Sequence, residues 1–415
     1  MPVSREGDGQ RGRGARRWLR IALIGVGGLI ALVVGVAVVL VSSSGSPKPG
    51  RFYALPSPLP PGPDGTVIRS EPVADPPAGA RAWKILYLSR SYTGQPTAVS
   101  GLLFVPTSAG PAGGRDVVAF THGTTGVDSS CAPSNIGPSY WPAIDGLSRF
   151  LKAGDVVVAP DYQGLGTAGP HPYLVGRAEA AATLDGVRAA HLFVPARAST
   201  RFVVWGASQG GQAALFTGQE ASAYAPELRL RGVAAAAPAT NLPQLLEANR
   251  DTQFGRILSA YTIDAWSQVY PQLHFDDIVT RGARPIVRRL SKICLTEKKG
   301  FLGVGVLQLA LKISYLRKLP WETEPWKGLI AQNTPGHARI PAPIFITQGD
   351  RDALVGPAIN AAFARQLCGQ RERVEYRTYP GVMHIDAGPK TAADVAAWIA
   401  QRFAGKAAPT NCANP

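Results

Sequence analysis

The sequence has none of the features that mark a nucleotide-, metal- or nucleic-acid-binding protein. It contains no P-loop, zincin or Rossmann fingerprint, so nucleotide and metal chemistry have no support. It has only four cysteines and no C-x-x-C pair, which argues against a zinc site or a thioredoxin-type redox centre. The net charge is +15, but the basic residues are scattered and no helix-turn-helix, zinc-finger or RNA-binding signature accompanies them. We therefore expect no metal, no cofactor and no nucleic-acid partner.

The beginning of the chain differs from the rest. Residues 1–20 carry six arginines and form a predicted basic cytoplasmic tail, and the run from Ile21 to Val41 contains no charged residue. About 20 apolar residues span a bilayer core, and positive charge before such a run keeps the N-terminus in the cytoplasm. We expect residues 21–41 to be a transmembrane signal-anchor that holds the protein in the cell membrane, with the folded body outside the cytoplasm. The alternative is a signal peptide whose cleavage releases a secreted protein. Residues 42–63, rich in Ser, Pro and Gly, are predicted to be a linker.

The cysteines agree with export. An even number of cysteines in an exported chain favours disulfides. The sequence alone allows three ways of forming two bonds, among Cys131, Cys294, Cys368 and Cys412.

Apolar runs and turn signals predict an α/β fold. Segments 83–91 and 98–105 alternate in hydrophobicity and are joined by T-G-Q-P, which predicts a β-hairpin. From residue 117 onward, short buried strands alternate with helices, one of them expected at about residues 141–152, which predicts a mostly parallel sheet covered by helices on both faces. Residues 241–339 break this alternation and are predicted to be a helical cap inserted between two strands. Residues 64–240 and 340–415 then form the core.

Within the predicted cap, a basic segment precedes an apolar one. Residues 281–299 hold seven basic side chains and one acidic one, and residues 301–311 are almost entirely apolar. One interpretation is a lid whose apolar stretch meets lipid while the basic residues meet anionic headgroups. The other is that the apolar residues form the core of the cap, as helical apolar runs usually do.

The stretch V-V-W-G-A-S-Q-G-G-Q-A at residues 203–213 carries the strongest chemical signal. A predicted buried strand ends at Gly206 and an alanine-rich helix begins at Gln209. Gly206, Ser208 and Gly210 therefore form G-x-S-x-G between a strand and a helix. In a nucleophile elbow this spacing holds the serine in a strained turn where larger neighbours would collide. Ser208 is the predicted nucleophile.

A serine hydroxyl needs a base that accepts its proton and an acid that orients the base. His384 follows the last predicted strand, at the sheet edge where such folds gather their chemistry, and is last in the order Ser–Asp–His. Asp350 and Asp352 both follow an earlier strand. Asp352 has G-x-x-D-x-x-V spacing and is the predicted acid, whereas Asp350 is a predicted turn residue. Asp161 precedes Ser208 in the chain and is expected to cap its loop.

Negative charge that develops on a substrate oxygen needs preorganised N–H donors. One predicted donor is the amide of Gln209, which follows the nucleophile at the start of a helix. The other predicted donor is Thr124, in the H-G-T-T-G loop that follows the strand at residues 117–120. These two amides form the predicted oxyanion hole.

Several segments together carry a family resemblance. They are T-H-G-T-T-G at 121–126, C-A-P-S at 131–134, D-Y-Q-G-L-G at 161–166, H-P-Y-L at 171–174, W-G-A-S-Q-G-G at 205–211 and G-D-R-D-A-L-V at 349–355. Through them the chain, from about residue 52 to 412, resembles the secretory lipase family, the lipase-A-like enzymes of the α/β-hydrolase fold. A long N-terminal membrane anchor is a departure from the usual secreted form of that family.

The resemblance implies a helical cap over a triad, no cofactor, and acylglycerols or simpler esters as substrates. It implies the roles assigned above to Ser208, Asp352, His384, Thr124 and Gln209. It also implies the disulfides Cys131–Cys294 and Cys368–Cys412.

We therefore expect a serine carboxylester hydrolase, a lipase or esterase, that faces outward from the cell and acts on a lipid or ester substrate. One alternative is an acyltransferase, in which an alcohol rather than water accepts the acyl group. Another is a catalytically inactive, membrane-tethered binding protein.

Overall fold

The structure is a computed structural model that describes residues 47–296, 298–309, 311 and 315–413. The predicted tail (1–20), the predicted membrane span (21–41) and the start of the predicted linker lie outside these residues. Within the described part of the chain, no helix is long and apolar enough to cross a bilayer.

The predicted hairpin is confirmed and forms one edge of a nine-stranded sheet. Strands β1 (Val67–Pro72), β2 (Ala80–Arg90) and β3 (Pro96–Pro106) pair antiparallel to their neighbours in chain order. Strand β3 also pairs antiparallel to β5 (Val156–Pro160), which joins the hairpin to the rest of the sheet.

The rest of the sheet is parallel, as the alternation of strands and helices predicts. Its other strands are β4 (Arg115–Thr121), β6 (Ala198–Ala207), β7 (Arg229–Ala236), β8 (Ile344–Gly349) and β9 (Val374–Tyr379). The strand order is β1-β2-β3-β5-β4-β6-β7-β8-β9, and every pairing from β5 to β9 is parallel. The carboxyl ends of β4 to β9 therefore meet at one edge of the sheet.

Helices cover both faces because the parallel strands are apolar on both faces. Along β6, Val204 packs into one buried cluster while Val203 and Trp205 pack into another on the opposite face. The first face is covered by α3 (Gly176–Leu192), α4 (Gln209–Tyr224) and α11 (Pro357–Gly369), and the second by α2 (Leu147–Ala153) and α12 (Ala387–Phe403). A short α1 (Pro133–Ile136) follows β4.

One helix expected from the sequence, residues 141–152, is broken. The structure has a 3₁₀ helix at Gly137–Ala143 and then α2. Gly146, which precedes α2, has a φ of 85°, a left-handed conformation that ends regular helix and that glycine adopts without strain. The break lets Asp145 offer its carbonyl oxygen to the indole N–H of Trp205, at 2.9 Å.

The chain between β7 and β8 is helical, and the two strands it joins are neighbours in the sheet. It contains α5 (Leu242–Asn249), α6 (Gln253–Val269), α7 (Phe275–Ile278), α8 (Arg284–Leu290), α9 (Lys298–Leu309) and α10 (Trp326–Gln332). The boundaries of a cap at residues 241–339 stay a prediction. From the apolar run at 301–311, Val304 and Leu311 are buried in the hydrophobic cluster that the insertion shares with neighbouring parts of the core, while Leu309 is exposed, so those two side chains are core residues.

Part of the predicted linker belongs to the folded body. Phe52 and Tyr53, in a 3₁₀ turn at Arg51–Tyr53, are buried against β2 and β3. The Tyr53 hydroxyl is 2.9 Å from the hydroxyl of Ser134. Two aromatic rings contribute enough apolar area to hold an otherwise irregular segment in place.

The four described cysteines form two disulfides. Cys131–Cys294 joins the loop after β4 to the helical insertion, and Cys368–Cys412 joins α11 to the C-terminal segment. These are the pairs that the family resemblance implies.

The second disulfide gives a stability prediction. It joins residues 44 positions apart, and loop-closure entropy assigns such a cross-link about 4 kcal/mol. The double variant Cys368→Ser/Cys412→Ser is expected to lose up to about that much unfolding free energy in urea denaturation. Its activity is expected to persist at low temperature. The bond lies near Val374, where β9 begins, away from the edge formed by the strands' carboxyl ends. A variant as stable as the wild type would contradict the prediction.

Candidate active site

Ser208 lies at a sharp turn between β6 and α4. Its φ and ψ are 59° and −120°, a strained combination for a residue with a side chain. The turn is tight because it packs directly on the end of β4. A Cβ on Gly206 would lie 2.2 Å from Thr121 Oγ1, and one on Gly210 would lie 2.0 Å from the carbonyl oxygen of Thr121. Only glycine fits at both positions, which explains the G-x-S-x-G spacing in terms of contact with β4.

The structure brings the three predicted triad residues together. His384 Nε2 is 2.9 Å from Ser208 Oγ, and His384 Nδ1 is 2.8 Å from Asp352 Oδ2. Asp352 follows β8 and His384 follows β9, and these strands are neighbours. Gly349 lets their loops pack closely, since a Cβ there would lie 2.1 Å from the carbonyl oxygen of Val382.

Asp352 has hydrogen-bond partners besides His384. Its Oδ1 accepts hydrogen bonds from the backbone N–H groups of Leu354 (2.9 Å) and Val355 (2.8 Å). Its Oδ2 accepts a further bond from Gln348 Nε2 at 3.1 Å. These donors stabilise a buried carboxylate and fix the orientation of the oxygen that faces the imidazole.

The sequence did not indicate the buried side chains that hold Gln348 in position against Asp352. Gln348 Oε1 accepts from Asn360 Nδ2 (2.7 Å), whose Oδ1 accepts from the hydroxyl of Thr240 (2.7 Å). All three side chains are buried. The sequence signal that could have found them is polar residues in otherwise apolar segments, since buried polar groups need partners.

The two other acids have different positions. Asp350 is exposed and accepts from the backbone N–H of Gly381 at 2.7 Å, so it joins the acid and histidine loops. Asp161 is fully buried and accepts from Ser100 Oγ (2.6 Å) and from the backbone N–H of Ser134 (2.8 Å). Burial raises the pKa of Asp161 to about 6 despite these bonds.

The predicted oxyanion donors lie on elements that meet at Ser208. Gln209 is the first residue of α4. A Cβ on Gly123, the neighbour of Thr124, would be 4.0 Å from Ser208 Cβ, so the H-G-T-T-G loop lies beside the elbow. The hydroxyl of Thr124 is 2.8 Å from the hydroxyl of Tyr173, a contact that the sequence did not indicate.

Two other histidines near this loop have structural positions. The ring nitrogens of His122 face the carbonyl oxygens of Gly123 and Asp161, and His171 Nδ1 donates to the carbonyl of Gln163. Burial lowers the pKa of both rings, that of His171 to about 3. His171 is therefore neutral, and its ring stacks with that of Tyr162, whereas the ring of His122 lies tilted against the same tyrosine ring.

An apolar cavity lies between the helical insertion and the α/β core, beside the segments that carry Asp352 and Tyr173. Its wall includes Leu354, whose backbone N–H donates a hydrogen bond to Asp352, and Leu174, which follows Tyr173 in the chain. Other lining side chains come from α5, α6 and α10, among them Leu242, Leu246, Trp266 and Ile330.

No cluster of three or more His, Cys, Asp or Glu residues suited to a metal ion occurs in the described ranges.

Comparison with known proteins gives one family. The model of the family described as secretory lipase matches residues 144–411. A Mycobacterium tuberculosis protein described as a probable inactive lipase is 24% identical, over 87% of this chain and 83% of the relative. Lipase 10 of Candida albicans is 25% identical, over 95% of this chain and 87% of the relative. The structure of Candida antarctica lipase A in its closed state matches the fold with a TM-score of 0.74, at 19% identity and 89% coverage of both chains.

The contact between the elbow and β4 yields a test. A methyl group on Gly210 cannot be accommodated without moving backbone, so Gly210→Ala is expected to destabilise the fold by about 3 kcal/mol or more. The measurement is the urea midpoint of the purified variant. Gly113→Ala is the matched control, because that glycine is exposed and a Cβ added there would have no atom within 4 Å. Equal midpoints for the two variants would contradict the account of the elbow.

Proposed function

The chain belongs to the secretory lipase family, and on that premise we propose that it is a serine carboxylester hydrolase acting on lipid esters. The observation that carries the proposal is the hydrogen-bonded series Ser208–His384–Asp352 at a nucleophile elbow. The fold alone does not carry it, because one fold hosts many activities.

In the proposed reaction, His384 Nε2 accepts the hydroxyl proton of Ser208 as Oγ attacks the ester carbonyl. Asp352 keeps the Nδ1–H of the ring directed at Oδ2 and stabilises the imidazolium that forms. Collapse of the tetrahedral intermediate expels the alcohol, which takes the proton from His384 and leaves an acyl-enzyme. Water then attacks the acyl group, with His384 again as base, and the acid is released.

The amides of Gln209 and Thr124 are the proposed donors to the oxyanion. Gln209 begins a sixteen-residue helix, so its N–H also carries the partial positive charge of the helix terminus. Donors of this kind act where charge develops, and each contributes about 10²–10³ in rate.

Apolar surface around the site supports a lipid substrate. The cavity between insertion and core is lined mainly by aliphatic and aromatic side chains, but its free volume is about 30 Å³, so it matches an acyl chain in chemistry and not in size. Met383 and Ile385, on either side of His384, are 54% and 73% exposed, so they add apolar surface beside the histidine. Together with the family, this apolar surface makes acylglycerols and other lipid esters the proposed substrates.

The proposed location is outside the cytoplasm. The four cysteines form two disulfides, which persist in an oxidising compartment, and the family is described as secretory. The membrane anchor at residues 21–41 stays a prediction from the sequence.

Ser208→Ala is the direct test. Removal of the nucleophile is expected to lower hydrolysis of nitrophenyl esters by about 10⁶-fold, with an unchanged circular dichroism spectrum. A fluorophosphonate probe is expected to label the wild type and not the variant. One relative is described as inactive, and the same experiment addresses that alternative. A wild type that neither hydrolyses esters of any acyl length nor accepts the probe would overturn the proposal.

The assignment of the acid has a matched pair of variants. Asp352→Asn keeps the size of the side chain but cannot hold His384 as the carboxylate does, and kcat is expected to fall by roughly 10⁴-fold. Asp350→Asn, two residues away, keeps an oxygen that accepts from Gly381 and is expected to change kcat by less than about threefold. The opposite ranking of the two variants would transfer the role to Asp350.

A further inference from the structure

A buried carboxyl lies behind the proposed oxyanion hole. Glu179 is on α3, its side chain is fully buried, and its Oε1 accepts from Gln209 Nε2 at 2.6 Å. The same oxygen accepts from the backbone N–H of Leu174 at 3.1 Å. Its Oε2 has no hydrogen-bond partner among the described residues, and none of the ion pairs of the described chain includes it. A buried acid without a neighbouring cation lowers the folding stability of a protein, so a functional reason for Glu179 is expected.

Each of these two hydrogen bonds connects Glu179 to the segment that carries one of the predicted oxyanion donors. Gln209 is itself one donor residue, and its side chain is tied to Glu179. Leu174 follows Tyr173, whose hydroxyl contacts that of Thr124, the other donor residue. Leu174 has a φ of 57°, an unfavourable value for a leucine, so its backbone needs an external partner to stay in this conformation.

We propose that Glu179 is a positioning residue that fixes both halves of the oxyanion hole through one carboxyl oxygen. This inference rests on the proposed function, because it assigns a role within the same site. Its physical basis is preorganisation: donors held before the reaction cost nothing to orient when the oxyanion forms.

The charge of Glu179 bears on the same site. Burial raises its pKa to about 8, although the bonds from Gln209 and Leu174 act in the opposite direction. The ionisable groups facing it are Tyr162 and Tyr173, whose pKa values are raised by burial and by the carboxyl. Both tyrosines are therefore neutral. Gln209 and Gln212 on α4 carry no charge. Below about pH 8 the carboxyl of Glu179 is therefore neutral. Above that pH it becomes a carboxylate, and its negative charge lies behind the site that has to stabilise the oxyanion of the substrate.

The direction of the pH effect follows from this. Because the pKa is raised, the proton is bound at neutral pH and is lost as the pH rises through about 8. Activity is therefore expected to fall above about pH 8, because Glu179 loses its proton there although it does not touch the substrate.

Two variants test the proposal on the full chain, with kcat expressed per fluorophosphonate-labelled site. Glu179→Gln keeps an oxygen that accepts from both donors but cannot ionise. It is expected to retain kcat within about threefold at pH 7 and to lose the fall in activity near pH 8. Glu179→Leu removes the acceptor and is expected to lower kcat about 10–100-fold with little change in KM.

Asp155→Asn is the matched control. Asp155 is also buried, with a pKa raised to about 7 by burial, but it lies just before β5, at the sheet edge opposite the site. Its replacement is expected to leave the pH profile unchanged.

The outcomes separate the inference from the proposed function. A wild type that is neither active nor labelled overturns both. An active wild type overturns only the role of Glu179 in either of two cases. In one, Glu179→Gln keeps the wild-type alkaline limb. In the other, Glu179→Leu keeps wild-type kcat per labelled site, as a purely structural residue would.

Discussion

The contact between the end of β4 and the first turn of α4 organises the whole site. Thr121 Oγ1 donates to the carbonyl oxygens of Trp205 and Gly210, at 3.1 and 2.8 Å, and its backbone leaves no room for a side chain at two positions of the elbow. This contact forces Ser208 into its strained turn. It also fixes the distance between Ser208, the proposed nucleophile, and the loop that leaves β4. The proposed nucleophile and one proposed oxyanion donor are therefore positioned by the same few atoms.

Two buried acids near the elbow show how environment separates their proposed roles. Asp352 accepts from two backbone amides, from Gln348 and from His384, so both of its carboxyl oxygens have hydrogen-bond donors. Glu179 receives two donors on one oxygen and none on the other. The first arrangement suits a carboxylate that steadies an imidazolium, and the second suits a neutral acid that holds polar groups in place.

Much of this architecture follows from the sequence because its signals are local. Period-two alternation predicted the hairpin, and short β-branched runs between alanine-rich helices predicted the parallel sheet. The elbow, Asp352 and His384 followed from strand ends and chain order. The broken helix at Gly146 was missed because a single residue with positive φ outweighed an apolar pattern. Glu179, Gln348 and Tyr173 were missed for a different reason. Each acts through a partner on another element or across a bend in the chain, and no periodicity records such contacts.

The helical insertion is fastened to the oxyanion side of the site. Trp266 on α6 donates to the carbonyl oxygen of Tyr173 at 2.6 Å, and Asn333, just after α10, accepts from the backbone of Gly176 at 3.0 Å. At the loop that carries Thr124, Cys294 is bonded to Cys131, and Leu295 donates to the carbonyl oxygen of Thr125 at 2.8 Å.

These ties bear on how a substrate can enter. If the insertion moved as one body, it would break the bonds that hold Tyr173 and the loop carrying Thr124, and the proposed oxyanion hole would lose its preorganisation. The proposed function therefore favours an insertion that keeps its contacts at Trp266, Asn333 and Cys294 while a substrate is bound. An insertion tied to both segments that carry the proposed oxyanion donors gives those donors rigidity where charge would develop.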